Sequence, residues 1–80
     1  MDSVDSVINI KVKGNAGEVF FKMKGTTLMN KLMEAWAART NSSVEAHRFL
    51  FNGDKVKPED TPASLGLEEG DIIDVMIESL

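Results

Sequence analysis

The 80-residue sequence predicts an α+β domain, in which a mixed sheet of four to five strands carries one long helix across one face. Three observations point there. Two adjacent segments alternate with period two, Ile8/Ile10/Val12 and Val19/Phe21/Met23, joined by the short link Gly14-Asn15-Ala16-Gly17. A single segment has helical period, with Met29, Leu32, Met33, Trp36 and Ala37 recurring at three- and four-residue spacing. The chain then closes on a third alternating segment, Ile73/Val75/Ile77.

Taken in order, residues 1–6 read as a loose, flexible tail, and 7–80 as one domain. The first strand runs from Val7 with Asn9, Lys11 and Lys13 on its polar face. The glycine-rich link has hairpin length, so residues 18–24 return antiparallel. There Val19, Phe21 and Met23 alternate with Phe20, Lys22 and Lys24, giving one oily and one mostly cationic face. Lysines on one face suit a sheet edge, where solvated charge discourages stray pairing. An edge beside a helix also makes a groove.

Gly25-Thr26-Thr27 breaks the alternation and offers a threonine as helix N-cap. Arg39-Thr40-Asn41 gives a cationic last turn with asparagine as the stop. Residues 42–46 form a polar connection. Arg48-Phe49-Leu50-Phe51 is a strand closed by the turn pair Asn52-Gly53, and Asp54 to Lys57 is a charged return strand. Thr61-Pro62-Ala63-Ser64-Leu65-Gly66 is one helical turn, with threonine as cap, proline first and glycine just past the end. A turn over Glu68-Glu69-Gly70-Asp71 leads into the last strand, whose neighbours Asp74 and Glu78 face outward. This order sets the first and last strands side by side and parallel, the β-grasp arrangement.

Composition narrows the function. Hydrophobic residues make up 42% and charged residues 28%, ordinary for a soluble domain near the smallest size that one core sustains. The absence of cysteine excludes disulfides and thiolate metal sites, and a reducing compartment is compatible. No apolar run spans a bilayer, and the acidic start Met1 to Ser6 is unlike a signal peptide. A net charge of −4 argues against nucleic acid or anionic membrane as partner and favours a basic protein surface. His47 stands alone, without the second ligand or catalytic partner that a metal site or an imidazole pair needs. Gly14 to Gly17 lacks the lysine and serine of a phosphate loop. The five methionines read as adaptable core filler. No cofactor and no enzymatic activity are expected.

Several stretches resemble SUMO, the small ubiquitin-like modifier family. They are Ile8 to Val12, Glu18 to Lys24, Thr26-Thr27, Leu32 to Ala35, Arg48 to Gly53, Asp60 to Pro62, and Leu67 to Ile73. The resemblance runs from about Ile8 to Leu80 and implies a ubiquitin-like β-grasp fold. It implies a protein tag joined by an isopeptide bond to target lysines through a C-terminal diglycine, which must be free of side chains to thread into the activating enzyme. This chain stops at Leu80 without the pair. It therefore reads as a form cut before the diglycine, with attachment to lysines reserved for the complete form. The alternative is a SUMO-like interaction domain of a larger protein that recruits the pathway's enzymes without being attached.

The resemblance also implies partners, surfaces and place. Proteins with SUMO-interaction motifs would add an extended peptide beside the second strand, in a groove of Val19, Phe21, Met23 and Leu32 with an apolar edge at Phe20 and Leu28. Lys22, Lys24, Lys31 and Arg39 would meet the motif's acidic flank. The bland alternative is plain core plus lysines that protect an edge. Around Asn52, Gly53, Glu68 and Asp71, with Asp74 nearby, SUMO holds the back of its conjugating enzyme; a solvated acidic turn is the competing reading. Val56-Lys57-Pro58-Glu59 fits the pattern at which SUMO itself is modified, making Lys57 a candidate chain acceptor on an extended loop, although four-residue matches arise by chance. Activating and conjugating enzymes, ligases and SUMO proteases complete the partners, with a monomer in nucleus and cytoplasm expected.

Overall fold

The computed structural model describes residues 7–15 and 17–77. The tail expected over residues 1–6, Ala16 of the link, and Glu78 lie outside the described residues. Strands β1 (Val7–Gly14), β2 (Gly17–Lys24), β3 (His47–Phe51), β4 (Asp54–Lys55) and β5 (Ile72–Ile77) form one five-stranded sheet in the order β2-β1-β5-β3-β4. β1 and β5 are parallel and the other pairings antiparallel, as the element order predicts. Helix α1 (Met29–Thr40) supplies the second layer, and the short α2 (Pro62–Leu65) lies on the connection to β5.

The core is the space between the sheet's inner face and α1. Ile10, Val12, Ile73, Val75 and Phe49 enter it from the strands, and Met29, Leu32, Met33, Trp36 and Ala37 from the helix. These are the positions that the period-two and period-3.6 patterns single out. Trp36 meets Phe49 edge-to-face, with ring centroids 5.4 Å apart, and His47 at 4.9 Å. Ile77 lies at the rim beside Trp36 and His47 and stays exposed.

The helix starts differently from expectation. Leu28, not a threonine, occupies the N-cap, and no side chain caps it. The first amides find carbonyls instead: Met29 N–H donates to Asp60 (2.7 Å) and Asn30 N–H to Pro58 (3.0 Å). The turn at 57–60 lies against the helix start and satisfies donors that a threonine would otherwise take. That same turn shortens the return strand to Asp54–Lys55. Val56 N–H still donates to Phe49, but Lys57 N–H then donates to the Asp60 carboxylate at 2.9 Å and the chain folds back. β3 begins one residue early, at His47.

Elsewhere the local signals hold. Asn41 ends α1 in the left-handed conformation (φ 55°), its N–H donating to the Ala37 carbonyl. Asn52 and Gly53, with φ of 53° and 85°, make the two-residue hairpin turn that needs positive φ at both central positions. Thr61 and Ser64 cap α2 reciprocally, at 2.9 and 3.1 Å.

Glu69 fastens the approach to β5. Its carboxylate accepts from the Asn9 backbone N–H (3.0 Å) and the Asn9 side-chain amide (2.7 Å), and Gly70 N–H donates to the Asn9 carbonyl. Those bonds, chiefly the side-chain one, hold the Glu69 carboxyl below its ordinary value of 4.5. A depressed folded value means that ionised Glu69 adds stability above the ordinary value, and that this contribution is lost as pH falls through the folded one. Wild type should therefore be more stable than Glu69→Gln at neutral pH, with the gap closing on acidification, as read from denaturation midpoints. A gap independent of pH would contradict this.

Candidate peptide groove at the β2 edge

β2 is a terminal strand of the sheet, so one side of its backbone has no neighbour in the sheet. Which residues turn that way follows from β1. Asn9 accepts from Gly70 through its carbonyl, and Lys11 N–H donates to Asp71, so the backbones of Asn9 and Lys11 are spent toward β5. In an antiparallel pair the bonding alternates, so Ile8, Ile10 and Val12 are the residues of β1 that bond β2. Their partners are Met23, Phe21 and Val19. Phe20 and Lys22, opposite Lys11 and Asn9, therefore aim N–H and C=O out of the sheet.

Beside this edge lies an open groove of about 620 Å³ between β2 and α1. Phe21, Lys22, Met23 and Lys24 line it from the strand, and Lys31 and Leu32 from the helix. These six are sequence-predicted site residues brought together. Val7, Thr27 and Ala35 line it as well and carried no comparable signal. Val7 enters through register, as the β1 partner of Lys24, and Ala35 lies one turn beyond Leu32. The Arg39 guanidinium sits 5.7 Å from the centre of the Phe21 ring, a cation–π contact.

The remaining predicted groove residues fall outside the lining. Val19 is half-buried and packs against the core. Leu28 is exposed at the helix start. Phe20 points to the opposite face of the sheet, where it is 62% exposed, because alternation puts neighbours Phe20 and Phe21 on different faces.

The second surface is only partly assembled. Asn52 and Asp71 share a shallow depression of about 330 Å³ with Asp74 and Lys13, and Gly53 lines the adjacent one. Lys13 stands opposite Asp74 in the β1–β5 register, so this face is of mixed charge. Glu68 is exposed outside both depressions, and its N–H donates to the Asp71 carboxylate at 2.7 Å. Lys57 is exposed, but its segment is a turn and not an extended loop. Val56, the hydrophobic residue of that pattern, is in the core at 2% exposure. His47 is half-buried, with Nδ1 donating to the Ser43 carbonyl at 2.8 Å.

Comparison with known proteins places this geometry in a family. Residues 8–77 match the family model described as ubiquitin-2-like Rad60 SUMO-like. The chain is 46% identical over 74 residues to the ubiquitin-like protein pmt3/smt3 of Schizosaccharomyces pombe, covering 91% of this chain and 63% of that one. It is 45% identical over 71 residues to small ubiquitin-related modifier 2 of Arabidopsis thaliana, covering 88% and 69%. It is 43% identical over 74 residues to the small ubiquitin-related modifier of Caenorhabditis elegans, covering 91% and 81%. Among solved structures, the ubiquitin of Caldiarchaeum subterraneum superposes with a TM-score of 0.83 at 17% identity, covering 94% of this chain and 98% of that one, which bears out the β-grasp fold. Two of these relatives are named as small ubiquitin-related modifiers. With its matched segment, its mixed sheet and its single long helix, this chain belongs to the SUMO-like family of ubiquitin-related proteins.

Proposed function

We propose that this domain is a SUMO-type protein modifier whose β2 edge receives an extended aliphatic–acidic peptide as an added strand. The observation that carries the reading is the coincidence of two features. The outward N–H and C=O groups of Phe20 and Lys22 border an apolar groove rimmed by Lys22, Lys24 and Lys31. Main-chain bonds hold such a peptide, aliphatic side chains enter between Phe21, Met23 and Leu32, and the lysines attract its acidic flank. Under this proposal activating and conjugating enzymes attach the modifier to target lysines, in nucleus and cytoplasm. The depression around Asn52 and Asp71 is the surface offered to the conjugating enzyme.

One added strand buries less than about 1,200 Å² in total, so binding should be transient. Titrating an aliphatic–acidic peptide should shift the amide resonances of Phe21, Met23 and Leu32, with an affinity that falls as salt rises. No shift in β2 or α1 at millimolar peptide would overturn the proposal.

A further inference from the structure

Phe20 is the most exposed of the large hydrophobic side chains among the described residues, and the groove leaves it unused. It is nevertheless held in place. Lys11 stands opposite Phe20 on β1 and opposite Ile72 on β5, so its alkyl stem separates two exposed apolar side chains on the outer face. The Lys11 ammonium lies 5.9 Å from the centre of the Phe20 ring and 3.6 Å from the Glu18 carboxylate. Farther along β2, Lys22 and Lys24 share that face, both exposed. The outer face of the edge strand is thus a row of one carboxylate, Glu18, one aromatic ring and two cations.

From this row we infer that the β2 edge reads both faces of an added strand, with Phe20 selecting the residue that stands opposite it and points away from the groove. The inference rests on the strand-addition reading above. Pleating forces alternate side chains of any added strand onto the outer face, where directly opposed Cβ atoms are about 5 Å apart. Charge and shape then define the occupant. It is an extended peptide with aliphatic residues at every second position, an aromatic residue opposite Phe20, and carboxylates opposite Lys22 and Lys24. An aromatic pair across strands favours edge-to-face contact, and the carboxylates meet cations on a protein whose net charge is −4.

The test is a double-mutant cycle on the intact chain. Peptides of the pattern Val-Xaa-Ile-Asp-Val-Glu, and the same residues in reverse order to allow either strand direction, are titrated with Xaa as Phe or Ser. On wild type, Phe should tighten binding over Ser by roughly two- to tenfold in one order. That ratio should collapse to about one on Phe20→Ala, whose folding is verified by its amide spectrum. Lys22→Glu should weaken both peptides by roughly threefold or more at low salt, without removing the Phe-over-Ser ratio. Serine peptides that bind while phenylalanine adds nothing in either order would overturn this inference and leave strand addition standing. Serine peptides that do not bind at all would overturn strand addition itself.

Discussion

Lys22→Pro should weaken peptide binding by roughly tenfold or more while the domain stays folded, because it deletes an outward main-chain donor at the receiving edge. Proline is tolerated on an edge strand when the missing N–H faced away from the sheet. Lys22 meets that condition, since its β1 partner Asn9 spends its own backbone on Glu69 and Gly70. Two companion variants isolate the cause. Lys22→Ala removes only rim charge and should cost about two- to threefold, screened by salt. Phe21→Pro removes a donor directed at Ile10 and should damage the sheet itself. Calorimetric titration of all three, with thermal melts, checks the pattern. Equal losses for Lys22→Pro and Lys22→Ala would show that the main chain is not what holds the peptide.

Trp36→Ala should destabilise the domain by about 3–5 kcal/mol, the range for removing a large aromatic from a packed core. Trp36 is buried on α1 and meets both His47 and Phe49 edge-to-face, so it joins the helix to β3 in a core with few other aromatic rings. A domain of this size has about 4–12 kcal/mol in total, so the loss takes a large share and threatens folding at physiological temperature. Trp36→Phe keeps a ring against the same neighbours and should cost distinctly less. Denaturant titration followed by circular dichroism measures both. A loss under about 1 kcal/mol for alanine would contradict the packing described.

What the sequence made legible was mostly periodic or carried by turn chemistry. Ile10, Val12, Leu32, Trp36 and Ile73 are readable as core because burial on one face of a strand or helix imposes period two or 3.6. Asn52-Gly53 and the Thr61 to Gly66 turn are readable because positive φ and capping restrict residue choice locally. Three of the misreadings share one cause. The start of α1, the short β4 and the shape around Lys57 all depend on the turn at 57–60 docking on the helix, a contact between residues some thirty positions apart that no local pattern encodes. The groove was half legible for a related reason. Phe21, Met23 and Leu32 announce themselves through alternation and helical spacing, whereas Val7 and Ala35 join by register and proximity, and Phe20 is excluded by a pleat.

Hydrogen exchange of individual β2 amides tests the strand-addition account most directly. Free, Phe20 and Lys22 should exchange quickly because their N–H groups face water, while Val19, Phe21 and Met23 are protected by β1. At saturating aliphatic–acidic peptide, Phe20 and Lys22 should slow to the level of their neighbours. Exchange at those two amides left unchanged by a peptide that demonstrably binds would contradict the account.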